Sequence, residues 1–167
     1  MKRSILMTLA LAAMPVLALA APDFNGTWVR DNAKSDREVY PLYWLTRGVD
    51  PFSGGGGGGE FTLTVKQSAQ ALQVVDQLHP VRNYVLDGKP KTVTMDTGIA
   101  TAQVTATLTA DALVIDSTQP YGGMPGNAMS KVTETWSLSP DGKSLTITTV
   151  RDVAAAKQTA KAVFSRK

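Results

Sequence analysis

The chain has 167 residues, no cysteine and one histidine, and its 17 lysines and arginines face 14 acids for a formal charge of +3. Without cysteine there is no disulfide framework, so the fold rests on its core alone. A single histidine leaves no second or third partner for a metal site or an acid–base relay, and no cofactor or metal is expected.

Met1-Lys2-Arg3 is a short basic region, followed by an uncharged apolar run from Ile5 to Leu19. Pro15 would break a helix there, and Ala18-Leu19-Ala20 has the small–x–small spacing that a signal peptidase accepts. Residues 1–20 are therefore expected to be a secretory signal peptide, cleaved after Ala20 or Ala21. The run is too short and too interrupted for a span, which needs about 20 apolar residues. Removing 20 of the 167 residues leaves 147, with two of the 17 cations gone and near neutrality as the result. Residues 21–167 are expected to form one soluble domain, periplasmic or secreted and not membrane-spanning.

Phe24 to Arg30 reads as the first strand. The stretch from Asp31 to Gly59 is long for a loop in a compact domain, and such loops are mostly functional or flexible. Within it Pro41 to Gly48 can form a helical turn or two, with Pro at its start and Gly past its end. Tyr40, Tyr43, Trp44 and Phe52 give it an aromatic half. They can cover a barrel end as a plug, form a lip over an apolar ligand, or dock another protein. The run Gly54–Gly59 lies before a strand rather than ahead of a helix N-terminus, so it reads as a tether and not as a phosphate cradle.

From Glu60 the chain is strand after strand. Phe61, Leu63 and Val65 alternate with Thr62, Thr64 and Lys66. Leu72–Leu78, Arg82–Leu86 and Thr92–Met95 follow, with Asp87-Gly88 as a turn. Ala100, Ala102, Val104, Ala106 and Leu108 alternate with Thr101, Gln103, Thr105 and Thr107. Leu113–Ile115 is next, then a loop from Gln119 to Ser130. Val132–Leu138 and Leu145–Val150 flank Ser139-Pro140-Asp141-Gly142-Lys143, a hairpin signal in which Pro presets φ and Gly takes the positive-φ corner. Gln158–Phe164 closes the chain. Arg151, Lys157, Lys161, Arg166 and Lys167 cluster near the end. They read as a solvated last strand whose lysines blunt a sheet edge, since nucleic-acid binding would need interleaved aromatics.

The expected fold is all-β, an antiparallel up-and-down meander of about 8–10 strands closing into a barrel, because closure removes exposed edges. No catalytic constellation emerges. His79 stands alone before Pro80, on the opposite strand face from Asp76, and the carboxylates are scattered singly. The chain is not expected to be an enzyme. Tyr84 and Trp136 fall on apolar strand faces. Glu134 and Arg151 share the parity of Trp136 and of Leu145–Ile147, which would point both inward.

Phe24-Asn25-Gly26-Thr27-Trp28 resembles the Gly-x-Trp signature that opens the calycins, the lipocalin-like barrels. Asn32 to Asp36 and Glu134 to Ile147 extend the resemblance to uncharacterised exported bacterial lipocalin-like proteins. The resemblance implies a barrel whose closed end is plugged by Trp28, with an arginine of the last strand stacked across it. Arg166 is the first candidate and Arg151 the second. It also implies a long first loop over the open mouth. The strand count, nearer ten than eight, and the lack of a Thr-Asp-Tyr-like second motif depart from the family pattern. Two functions follow. One is a barrel holding a small, mostly apolar ligand, with Tyr43, Trp44, Tyr84, Trp136 and Arg151 as ligand-binding candidates. The other is a self-filled barrel that serves as a structural or interaction protein. Ala100, Ala102 and Ala106 leave room inside and favour the first.

Overall fold

A computed structural model describes residues 21–36, 60–76, 81–95, 98–120, 126–153 and 156–167. They form ten strands: β1 (Gly26–Arg30), β2 (Thr62–Gln67), β3 (Ala71–Asp76), β4 (Arg82–Val85), β5 (Lys91–Thr94), β6 (Thr101–Leu108), β7 (Leu113–Pro120), β8 (Met129–Leu138), β9 (Ser144–Val153) and β10 (Ala156–Arg166). All belong to one antiparallel sheet in the order β4-β3-β2-β1-β10-β9-β8-β7-β6-β5. Every neighbouring pair in that order is consecutive in sequence except β1 and β10, which join the two ends of the chain through Trp28↔Arg166 and Arg30↔Phe164.

The sheet curls into a half-barrel because one face of each strand is apolar and must be taken from water. Phe24, Trp28, Phe61, Leu63, Leu72, Leu113, Ile115, Trp136, Leu145, Ile147 and Phe164 are all buried on the concave side. Threonines, glutamines and lysines alternate with them on the convex side, as in β6, where Thr101, Gln103 and Thr107 are exposed. Closure is incomplete. β4 and β5 end the sheet without pairing to each other. The connection between them crosses to β6, where the Gly88 amide donates to the Ala106 carbonyl at 3.1 Å.

Several sequence expectations need correction. The last strand is not an edge: β10 is paired by β9 along its whole length and by β1 at its end. Its free upper side is met by residues 31–36. The Asp31 amide donates to Val163 O and the Asp36 amide to Lys161 O, both at 2.8 Å. In return the Lys161 amide donates to Asp36 Oδ2 at 2.7 Å. The start of the expected flexible loop is thus tied down as a strap. Strands β7 and β8 also run further than their hydrophobic patterns suggest. Gln119 pairs with Ser130 and Pro120 with Met129, so the loop expected over 119–130 is shorter at both ends. The expected signal peptide, Tyr40, Tyr43, Trp44, Phe52, the glycine run and His79 lie outside the described residues.

Candidate functional site

One end of the half-barrel is closed. The turns β2–β3, β6–β7 and β8–β9 gather there, together with both ends of the domain. Trp28 and Trp136 are fully buried, Phe24 meets Trp136 edge-on with ring centres 6.0 Å apart, and Phe61 packs on Phe164. The Trp28 indole N–H donates to the Phe24 carbonyl at 2.9 Å, so the ring is buried without an orphaned donor. Outside this floor the Arg166 guanidinium carbon lies 4.3 Å from the centre of the Trp28 ring. Its nitrogens donate to Asn25 O at 2.7 Å, Gly142 O at 3.0 Å and Asp23 O at 3.1 Å. Gly26 adopts φ 128°, and a Cβ there would lie 3.4 Å from Arg166 Nη1, so glycine at this place lets the arginine cross.

Above the floor the concave face changes character. On β1, β3, β4, β7 and β9 the inward residues nearest the floor are apolar and those nearer the mouth are polar, while β6 stays apolar through Val104 and Ala102 to Ala100 just before it, and Val132 lies beyond Glu134 on β8. Trp28 gives way to Arg30, Leu72 and Val74 to Asp76, and Leu113 and Ile115 to Ser117 and Gln119. Ile147 likewise gives way to Thr149 and Arg151, while Arg82 precedes Tyr84 on β4 and Glu134 precedes Trp136 on β8. The ladders align these groups in rungs. One runs Ala106–Ile115–Glu134–Thr149–Ala160, and the next, closer to the mouth, runs Val104–Ser117–Val132–Arg151–Gln158.

Several of these polar groups are buried. Glu134 is completely buried and accepts the Trp136 indole N–H on Oε2 at 3.1 Å. Arg82 pairs with Asp76 through Nη2 and Oδ2, with side-chain exposures of 5% and 0%. Among the described residues, Ser117 Oγ, Gln119 Oε1, Thr149 Oγ1 and the Nε and Nη1 of Arg82 are buried with no hydrogen-bond partner. A buried polar group left unpaired costs about 1–3 kcal/mol, so four such side chains on one concave face set this band apart from an ordinary apolar core.

Of the candidates named from sequence, Tyr84 is buried on the concave face of β4 and Trp136 belongs to the packed floor. Arg151 is partly buried on the concave face of β9, where it pairs with Val132 and Gln158, and it is not the cation over Trp28. Tyr43 and Trp44 lie outside the described residues. Arg30, Asp76, Arg82, Ser117, Gln119 and Thr149 were not singled out in the sequence. Strand parity carried the signal: Arg82 is two residues from Tyr84, and Ser117 and Gln119 continue the inward register of Leu113 and Ile115.

At the mouth-side rim an open depression of about 540 Å³ lies between the starts of β6 and β8, lined by Thr94, Ile99, Ala100, Pro120 and Met129 among others. No group of three or more metal-ligating side chains occurs among the described residues. No helix among them is long and apolar enough to cross a membrane.

No protein-family model matches this chain. No curated protein matches it either. Among solved structures it is similar to the zebrafish ileal bile acid-binding protein complexed with cholic acid. The two share 15% sequence identity at a TM-score of 0.55, over 86% of this chain and 98% of that one. At that identity the likeness shows the fold, an all-antiparallel β meander curled in the manner of a calycin barrel.

Proposed function

We propose that the chain is an exported, non-enzymatic binding barrel, periplasmic or secreted, that holds a small and mostly apolar ligand in its concave interior. The observation that carries this reading is the graded inner face. A fully packed aromatic floor gives way to a polar band whose Ser117, Gln119 and Thr149 oxygens are buried without partners among the described residues. A self-filled barrel would gain by placing apolar side chains at those positions, since a buried unpaired oxygen stabilises nothing. Alanines at 100, 102, 106, 160 and 162 keep the same face shallow. The solved relative binds cholic acid, a small molecule with an apolar body and a polar periphery, and this supports the same use of the fold here. The floor itself is filled by its own side chains, so the ligand sits on the mouth side of Trp28 and Trp136.

Fluorescence titration with phenylnaphthylamine, a neutral apolar dye, tests the reading. The protein should bind about one equivalent saturably, with a blue shift. Ala160→Phe, which pushes a ring into the interior beside Thr149, should weaken binding while leaving cooperative unfolding intact. Absence of saturable binding by the unaltered protein would remove the ligand-holding role.

A further inference from the structure

We propose that the ligand is an organic oxyanion and that Arg82 is the residue that recognises its charged group. This inference rests on the binding-barrel reading above and adds to it the chemical class of the ligand.

Arg82 lies on the concave face of β4 opposite Val74, and both are buried. Its guanidinium gives only Nη2 to Asp76, and the remaining Nε and Nη1 have no acceptor among the described residues. An arginine presents five N–H donors and no acceptor, so what completes it must bring lone pairs. With the side chain 5% exposed, bulk water does not supply them. An oxyanion matches a planar guanidinium in both charge and geometry.

Asp76 is a positioning residue in this arrangement. Its carboxylate holds one nitrogen of the guanidinium and so fixes the plane in which the other two are offered.

Two dyes with the same ring system separate charge from shape: anilinonaphthalene sulfonate carries a sulfonate that phenylnaphthylamine lacks. The unaltered mature protein should hold the sulfonate at least about tenfold more tightly, in line with the strength of charge-assisted over neutral hydrogen bonds. Arg82→Gln should abolish that preference, so that the two dyes bind with equal affinity. Arg82→Lys, which keeps a cation, should fall between. Equal affinities in the unaltered protein, or an undiminished preference in Arg82→Gln, would overturn the oxyanion assignment and leave the barrel reading standing. The first of these comparisons needs no variant and so decides even if Arg82→Gln does not fold. If neither dye binds saturably, it is the barrel reading itself that fails.

Discussion

Arg166 and Trp28 are separated by almost the whole domain in sequence, yet the guanidinium carbon of one lies 4.3 Å from the ring centre of the other. They face each other as a register pair between β1 and β10, the one junction at which the two ends of the chain meet. The arginine also donates to the carbonyls of Asp23, Asn25 and Gly142. One side chain therefore binds the leading segment, the first strand and the β8–β9 turn at the closed end.

Trp28→Ala should cost about 3–5 kcal/mol in urea unfolding, the range for emptying a large aromatic from a core, because Trp28 is fully buried. Arg166→Ala should cost less, about 1–2 kcal/mol. The cation–π contact is worth about 0.5–1 kcal/mol at an exposed site, and each lost hydrogen bond adds about 0.5–1.5 kcal/mol, with water replacing part of it. Arg166→Lys should recover only a fraction, since an ammonium cannot span three carbonyls and the ring together. A Trp28→Ala loss below about 1 kcal/mol would mean that the floor tolerates its absence.

The leading segment sets a second expectation. Gln67 Nε2 donates to Pro22 O at 3.0 Å, and the Phe24 amide donates to Gln67 Oε1 at 2.8 Å. The chain is thus part of the barrel from Pro22 onward. Cleavage after Ala20 or Ala21 would remove the apolar leader and spare every one of these contacts. Amino-terminal sequencing of the exported protein should read Ala21 or Pro22 first, and an intact Met1 would contradict the leader assignment.

The strands were legible because a half-buried antiparallel sheet writes its two faces into alternate residues, as Phe61 to Lys66 and Ala100 to Leu108 do. The turn at Ser139–Lys143 was legible for a local reason as well. Gly142 takes φ 67° and donates its amide to Ser139 O at 2.8 Å. The polar band was hidden for the same reason that made the strands visible. Hydrophobic alternation ends where inward residues turn polar, so the apolar pattern of β7 stops at Ile115 although its ladder runs on through Ser117 and Gln119. The place of β10 inside the sheet was hidden too, because lysines on a convex face look the same whether the strand is an edge or not. Only the pairing of Trp28 with Arg166 across the domain decides it.

The acid side of the stability profile should carry the signature of the turns. Asp141 accepts the Ser139 hydroxyl at 2.5 Å and the Lys143 amide at 3.1 Å, and these bonds hold its carboxyl below the ordinary value of 3.8. Lys91 does the same to Asp87, and Lys34 to Asp31. A depressed carboxyl binds its proton less tightly in the folded chain than in the unfolded one. Its contribution is therefore complete above the ordinary value and lost as pH falls through the folded one. In a carbon-detected NMR titration the Asp141 carboxyl should show its midpoint below 3.8. Asp141→Asn keeps the acceptor and loses the charge. Its stability should differ from the parent's most near neutrality and converge with it in acid. A midpoint at or above 3.8 would mean that the turn does not favour the charged form.

Thr149 offers the sharpest separation of stability from function. It lies between Glu134 and Ala160 on the inner rung, is 4% exposed, and its hydroxyl has no partner among the described residues. Valine has nearly the same shape without the hydroxyl, and its β-branch suits a strand equally well. Thr149→Val should therefore stabilise the ligand-free protein, by about 1 kcal/mol, because the desolvation cost of an unpaired buried hydroxyl disappears. Ser117→Ala should act in the same direction by less, since it also gives up a little packing at a fully ladder-paired site. A residue kept polar at a cost to stability is expected where a ligand completes it. The same two variants should then hold a hydroxyl-bearing ligand more weakly than the parent does, by about tenfold for one lost buried hydrogen bond. Urea unfolding of the ligand-free proteins, set beside calorimetric titration with cholate as a hydroxylated probe, reads both effects. If Thr149→Val destabilises the ligand-free barrel, the hydroxyl already has a structural partner and the inner rung is part of the core rather than of a binding surface.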